Sequence, residues 1–469
     1  YQPIWFEKRR LNAFGRQALY LMRHADEEGL NPHDYQQATI VLNVQDGSIE
    51  RRVKAEILLT KIFLKYMNDV INGRVSPQEA SREISMRPTP VDPVAYLKKG
   101  LSSPSIEWIK NLGPPYKEYR YLKKLLKAYR HVWAHWPEIA FSDKTVIKGS
   151  NVHPDLPKIR SLLNFLGYKT RTSNPQFYDK RLEEQIRLFQ QHHGLKVDGI
   201  IGPRTFKALE MSPVERIKRI IITMERWRWM PHDPGNRYIL VNVPSFELKA
   251  IENRKVALKS RVIVGRPSRK TPCFKAIMRD IVFNPSWHVP VNMAVNDLLK
   301  KIRQDPSYIS RHNYVLSNSQ GEPVNPHHVN WEHYGKGNFP FRLRQRPGSH
   351  NALGRIKFEM KNPFAIYLHS TPNKELFNKD VRIFSSGCIR VEKVAELALF
   401  LLNDSQWTLQ KIAQRMQAQS TQTVKLKEKV PVYITYFTVG CNEEGRQFFM
   451  PDIYDQDQKI ARLLFGEPL

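Results

Sequence analysis

A thiol and an imidazole nineteen positions apart offer the most direct chemistry in this sequence. Cys388 follows the small-residue run Ser385-Ser386-Gly387, and His369 ends the short apolar run Ile366-Tyr367-Leu368. The thiolate is the reactive form of cysteine, and a neighbouring imidazole can take its proton. Downstream, Val391 to Leu402 places Val394, Leu397, Ala398 and Leu401 on one helical face. That spacing predicts Cys388 at or just before a helix N-terminus, where unpaired N–H groups and the dipole favour a thiolate. Gly387 lets the backbone approach a reacting carbonyl, so the N–H groups of Gly387 and Cys388 are candidate oxyanion donors. A buried, inert thiol is the alternative. The turn and the upstream histidine argue against it.

The elements that position these residues belong to a long, mixed chain. Its 469 residues suffice for two to four domains, and 41% apolar content fits a globular core. No apolar run approaches a bilayer span. The chain opens at Tyr1 without an initiator methionine or hydrophobic signal region, so it reads as cut or as having lost a targeting segment. A formal charge of +29 attracts polyanions, but Lys and Arg are dispersed and no nucleic-acid motif accompanies them. Three cysteines (Cys273, Cys388, Cys441) make no disulfide framework, and a Cys273–Cys441 pairing stays open. His327, His328 and His333 lack a carboxylate or thiol at ligand spacing, so no metal site is expected.

In order along the chain, residues 1–147 read as helical. A strong helix spans Glu50 to Asn72 with Val53, Ile57, Leu58, Ile62 and Met67 near helical spacing. Ala18 to Glu28 and Tyr116 to Trp133 are further helices, and Asn31-Pro32 should open another. The Pro-rich stretch Arg87 to Pro93 interrupts them. Residues 150–211 form a compact three-helix unit, with the turn-rich loop Val197-Asp198-Gly199-Ile200-Ile201-Gly202 leading into Pro203. Residues 212–236 hold a helix from Val214 to Trp229. From Arg237 the periodicity turns to strands: Tyr238 to Val243, Glu247 to Ile251 and Lys255 to Val264, with Asn253 at a hairpin, then Ile277 to Phe283. Between Asn284 and Arg346 alternation stops, and the aromatic-bearing segment reads as a lid. Val430 to Phe437 is a late strand, and the segment through Asp452 and Tyr454 a short closing helix.

Two sets of motifs resemble known families. His369-Ser370-Thr371 with Ser385-Ser386-Gly387-Cys388-Ile389-Arg390 resembles the nucleophile motif of the L,D-transpeptidases, the YkuD-type domain that cross-links bacterial peptidoglycan. The commoner motif has histidine where Ser386 stands, and the larger YcbB-type members share this variant. Arg344-Gln345-Arg346-Pro347-Gly348 and Asn351-Ala352-Leu353-Gly354-Arg355-Ile356-Lys357-Phe358 are also family-like, and Asn284-Pro285-Ser286-Trp287-His288-Val289-Pro290 is similar to the start of a substrate-capping subdomain. Phe189-Gln190-Gln191-His192-His193-Gly194-Leu195 followed by the Asp198-Gly199 loop resembles a peptidoglycan-binding domain.

The resemblance implies an α+β multidomain chain. It would comprise a helical scaffold (1–147), a three-helix peptidoglycan-binding module (150–211) and a helix returning to the scaffold (212–236). A mixed β-rich catalytic domain (237–425, capping insertion about 284–346) and a closing strand and helix (426–469) complete it. It further implies a Cys388 nucleophile, His369 as base oriented by a backbone carbonyl near Ser370, and a turn of Ser386 and Gly387. Tyr367, Ser370, Arg390, Trp287, Asn284, Arg344, Asn351 and Lys357 are its candidate substrate contacts. Arg344 suits a carboxylate bidentately, or equally braces its loop. No cofactor or metal is implied. The partners would be a donor tetrapeptide stem, an acceptor stem and, as covalent inhibitors, carbapenem β-lactams, with no nucleic acid and no membrane span. The setting would be periplasmic and wall-associated. An L,D-carboxypeptidase, a lipoprotein-to-wall transpeptidase and a non-catalytic wall-binding scaffold are the alternatives.

Overall fold

The computed structural model describes residues 3–7, 10–36, 48–86, 90–103, 105–137, 139–442 and 445–469. The first three residues of the predicted Pro-rich break, 87–89, lie outside them. The chain divides into two compact units, residues 1–234 with 436–469, and residues 235–435.

In the first unit the long helix Ile49–Ile71 buries Ala55, Leu59, Ile62, Phe63, Tyr66, Met67 and Val70. Val53 and Ile57, expected on its inner face, are 38% and 61% exposed. The true stripe holds two aromatics and two carboxylates: Glu56 accepts the backbone N–H groups of Trp5 and Phe6 (both 3.0 Å), and Asp69 accepts the Tyr35 hydroxyl (2.7 Å). The predicted helix Ala18 to Glu28 is instead Ala13–Arg23 followed by a 3₁₀ turn, Ala25–Glu28. Helix Pro213–Arg228 buries its arginines among acceptors. Arg228 donates to the Val70 carbonyl (3.1 Å), the Tyr119 hydroxyl (2.9 Å) and Glu225 (2.7 Å), which meets the need of a buried charge for pairing.

The three-helix module, Leu156–Phe165, Lys180–His192 and Pro203–Leu209, has its own core of Ile159, Leu162, Leu163, Leu182, Ile186, Phe189 and Phe206. Ile147 belongs to that core, with Ile139 and Phe141 packed against it, so the module begins before residue 150. Gln190 explains the punctuated loop. Its Oε1 accepts Asp198 N–H (3.1 Å) and Gly199 N–H (2.9 Å) while its Nε2 donates to the Ile200 carbonyl (2.9 Å). The last helix is Gln456–Phe465, starting beyond the predicted Asp452 and Tyr454.

The second unit is built on strands β1 (Arg237–Asn242), β2 (Glu247–Glu252), β3 (Lys255–Ile263) and β4 (Cys273–Phe283). An insertion follows with β5 (Trp287–His288), β6 (Tyr314–Ser317) and β7 (Arg342–Gln345). The main sheet resumes with β8 (Ile356–Met360), β9 (Leu368–His369), β10 (Ile389–Val391) and β11 (Gln422–Thr435). Its order is β8-β9-β10-β3-β2-β1-β11-β4, and β4 pairs back onto β8, closing the sheet on itself. The pairs β9–β10 and β1–β11 are parallel and the others antiparallel. The hairpin β2–β3 turns through Asn253 and Arg254, both left-handed (φ 49° and 63°), as a two-residue loop matching strand twist requires. Strand β11 begins at Gln422, so it belongs to this sheet rather than to a separate closing segment.

The insertion is not an irregular loop. Its strands form a three-stranded sheet with β7 central, and helical segments run from Val291 to Gln304 through a π turn, Ala294–Leu298. Val289, Leu298, Ile302, Ile309, Leu316, Trp331 and Leu343 form its core. Strands of two to four residues carry too little alternation to read, and the π turn adds a residue that breaks the helical spacing.

Among the described residues no helix is long and apolar enough to cross a membrane, and no cysteine is in a disulfide.

Candidate active site

Strand register decides which side chains meet. Lys357 on β8 lies opposite His369 on β9, and His369 lies opposite Arg390 on β10; Phe358, Leu368 and Ile389 form the row beside them. Opposed residues share a face and successive ones alternate. Phe358, Leu368 and Ile389 therefore enter the core, fully buried, and Lys357, His369 and Arg390 line the other face. Two residues earlier on each parallel strand, Tyr367 and Cys388 continue that line. The Tyr367 ring lies 5.6 Å from the His369 ring and 4.6 Å from Lys357 Nζ, and Tyr367 is among the groups that hold the Cys388 thiol down against burial. Glu359, also on this face, takes Lys357 Nζ at 2.5 Å.

The electrostatics differ from the expected thiolate. Strand β10 follows Cys388 directly, and the helix Val394–Leu402 opens only after Lys393. A helix dipole acts within its first turn, so it does not serve this thiol. Burial pushes the Cys388 thiol up, partly offset by the Tyr367 hydrogen bonds, Lys357 and Arg390. Burial, then the Arg390 guanidinium, lowers His369 to about 3 against the pull of the Ser370 carbonyl. His369 Nδ1 stands 2.6 Å from the Ser370 carbonyl oxygen. A carbonyl only accepts, so Nδ1 carries the hydrogen and Nε2 keeps its lone pair. At neutral pH the pair rests as thiol and neutral imidazole.

Residues 236–434 match the model of the L,D-transpeptidase catalytic domain. The chain carries an L,D-transpeptidase domain. Residues 152–209 match the "Putative peptidoglycan binding domain" and residues 1–126 a scaffold domain. A relative from Haemophilus influenzae, named "Putative L,D-transpeptidase", is 40% identical over 243 residues, 52% of this chain and 49% of that protein. The chain thus spans about half the length of that relative. The N-acetylmuramoyl-L-alanine amidase CwlM of Mycobacterium tuberculosis is 49% identical over 35 residues, 8% of this chain and 9% of that one. The crystal structure of the L,D-transpeptidase (residues 123–326) from Xylanimonas cellulosilytica aligns over 64% of this chain and 100% of its own at 14% identity, with a TM-score of 0.19, too low to bear on the fold.

Within the L,D-transpeptidase domain the turn before Cys388 is braced partly by its own residues. Gly387 takes φ 114°, a region closed to side chains. Its N–H donates to Ser385 Oγ (3.1 Å), which in turn donates to the Cys388 carbonyl (2.5 Å). The Gly387 N–H expected to face an oxyanion is therefore used inside the turn. The Cys388 N–H has no acceptor among the described residues and stays available. Three predicted contacts are structural instead. Asn284 is fully buried, accepting from Arg355 (3.1 Å) and donating to the Arg415 carbonyl (2.8 Å). Asn351 is buried and holds the Arg346 carbonyl (2.9 Å) and Leu353 N–H (2.8 Å). The Ser370 hydroxyl accepts Arg355 N–H (2.6 Å) and Ile356 N–H (3.2 Å), leaving its carbonyl to orient His369. Arg344 lies in the insertion's sheet opposite His288 and Val315, on no strand next to Cys388. Trp287, on β5, lies opposite Gln345 in the insertion's sheet, with its ring 6.4 Å from that of Tyr314.

The stretch joining β3 to β4 was not singled out in the sequence, yet it cradles the turn of the transpeptidase domain. Thr271 Oγ1 donates to the Gly387 carbonyl (2.8 Å) and accepts Gly265 N–H (2.8 Å). Arg266 N–H donates to the Ser385 carbonyl (3.0 Å). A Cβ at Gly265 would lie 2.1 Å from the Arg269 carbonyl oxygen, so the loop closes only around glycine. Gly265-Arg266-Pro267-Ser268-Arg269, tight and basic between two strands, was the available signal.

Proposed function

We propose that the chain is a peptidoglycan L,D-transpeptidase forming 3–3 cross-links between diaminopimelate residues through a thioacyl enzyme on Cys388. The observation that supports this is the single sheet face holding Cys388, Tyr367, His369, Arg390 and Lys357, inside the segment matched by the transpeptidase model. Cys388 Sγ attacks the carbonyl joining the third stem residue to the terminal D-alanine, and its proton passes to His369 Nε2. The Cys388 N–H donates to the oxyanion, and His369 returns the proton to the departing D-alanine amine. The side-chain amine of a diaminopimelate on a second stem then attacks the thioester, and the thiol is regenerated. A neutral base of low pKa suits a concerted transfer, since no stable imidazolium need form in a buried cationic site. Arg390 and Lys357 would hold stem carboxylates, with Tyr367 and Trp287 as the aromatic wall.

The module at 152–209 supports a wall-associated, periplasmic setting, and Ser386 with the helical scaffold favours the YcbB-type members. Water as acceptor would make the enzyme an L,D-carboxypeptidase, and a protein lysine a lipoprotein transferase. Mass spectrometry of products from defined disaccharide-tetrapeptides discriminates: a 3–3 dimer with loss of one D-alanine is expected, and tripeptide without dimer would replace the reading by hydrolysis.

A further inference from the structure

The insertion and the nucleophile turn meet through two guanidiniums, with that of Arg269 making the shorter bonds. Arg269 donates to Asp297 as a fork, Nη1 to Oδ2 (2.5 Å) and Nη2 to Oδ1 (3.0 Å), and the same Nη1 donates to Ser386 Oγ (3.1 Å). Asp297 lies in the π turn of the insertion, and Ser386 precedes Gly387 and Cys388. Arg266 reinforces both ends, its Nη2 standing 3.5 Å from Ser386 Oγ and 3.5 Å from Asp297 Oδ1. Among the described residues Asp297 and Ser386 share no hydrogen bond, so any coupling between them passes through the arginines. The pairs are half-buried, Arg269 at 21% and Asp297 at 30% exposure, where a bidentate Arg–carboxylate pair holds geometry better than a surface ion pair. The backbone around Arg269 is held independently by the Thr271–Gly387 and Arg266–Ser385 bonds, so the guanidinium has a fixed base from which to act.

We propose that Arg269 is a positioning residue that couples the seat of the insertion to the nucleophile turn, reading Asp297 on one side and Ser386 on the other. The proposal deepens the transpeptidase reading and rests on it for its catalytic meaning. It gives Ser386 a role of its own: a small hydroxyl that accepts the arginine where the commoner motif has an imidazole. Displacing the insertion would withdraw Asp297, free the guanidinium to turn, and loosen the peptide unit that presents the thiol.

A double-mutant cycle tests this without substrate. The rate of Cys388 alkylation by iodoacetamide, followed by peptide mapping so that Cys273 and Cys441 do not interfere, is measured for wild type, Ser386→Ala, Asp297→Asn and the double variant. Each single change should alter the rate by about fivefold or more, and the double no further than the larger single, within about twofold. Arg269→Gln should match the double, and Arg269→Lys should not restore wild type, because an ammonium lacks the planar fork that takes both Asp297 oxygens while reaching Ser386. Single effects that multiply, or the absence of any effect, would overturn the coupling. Melting temperatures within about 4 °C of wild type exclude global unfolding. Turnover of a tetrapeptide stem supplies the second arm, with kcat/KM expected to show the same non-additivity. If wild type alkylates with the coupled pattern but turns over no stem peptide, the transpeptidase reading falls and the coupling stands.

Discussion

The thiol and the imidazole rest neutral because burial disfavours the charged form of each, and two predictions follow from the signs. His369 sits at about 3 in the folded chain against an ordinary 6.5. Between those values the unfolded chain binds a proton that the folded one refuses. The His369 contribution is therefore intact above pH 6.5 and is lost as pH falls toward 3. His369→Gln removes that dependence, so wild type should lose on the order of 4 kcal/mol relative to the variant across the window. Denaturant titrations of both at several pH values measure it, and parallel curves would mean the imidazole is not held neutral. For Cys388, burial raises the pKa while the Tyr367 hydroxyl opposes it. Tyr367→Phe should move the midpoint of the alkylation–pH profile further up. Cys388→Ala should abolish both stem turnover and the covalent β-lactam adduct, and an adduct surviving on the variant would move the nucleophile to Cys273 or Cys441.

At the scale of elements, the insertion behaves as a small folded body with its own core. Trp331 is 4% exposed in it and donates its indole N–H to the Pro326 carbonyl (2.8 Å). Trp331→Ala should cost about 3–5 kcal/mol of local stability, seen as faster hydrogen exchange across Val289 to Leu343 while strands β1 to β3 keep their protection. Uniform acceleration in the whole sheet would mean that the insertion and the sheet unfold together. Motion over the thiol, if the insertion supplies it, is motion of that body about its ends rather than flapping of a loop. Trp287→Ala should then reduce peptide turnover more than acylation by a small β-lactam, since Trp287 belongs to the insertion's sheet rather than to the sheet that carries the thiol. Much of this was legible locally. The Asn253 hairpin, the Ser-Ser-Gly-Cys turn and the module helices depend on neighbours in sequence. The roles of Asn284, Asn351 and Ser370 were not, because side chains of these types serve equally as ligands and as backbone clamps. Which use applies depends on partners 5 to 131 positions away. The surroundings of Cys388 were misjudged for a related reason. Apolar spacing announced the helix correctly but not the three-residue strand that separates it from Cys388, and that strand's parallel pairing to β9 is a long-range choice.

For the whole molecule, the proposed wall-associated function would superpose two different attractions to the wall, which salt would separate. The formal charge of +29 gives a non-specific affinity for anionic polymer that is screened beyond about 8 Å at physiological ionic strength. The module contributes a shaped surface whose integrity hangs on Gln190, 1% exposed and bonded to the Asp198-Gly199-Ile200 backbone. Binding of wild type to purified sacculi should therefore fall as salt rises and then level at a residual affinity. Gln190→Ala strands the Asp198 and Gly199 N–H groups and leaves the Ile200 carbonyl to Thr205 Oγ1 alone, at about 1–3 kcal/mol for each group left unsatisfied, and should detach the loop that leads into helix Pro203–Leu209. The expected outcome is loss of the salt-resistant plateau with the salt-sensitive part unchanged, and turnover of small soluble muropeptides within about twofold of wild type. That split holds because the thiol, the imidazole and their sheet lie in the other unit, residues 235–435. Pelleting assays across a salt series, with a calorimetric check that the module is destabilised, decide it. A plateau that survives in a variant whose module has melted would assign wall anchoring to charge and leave the three helices as structural support.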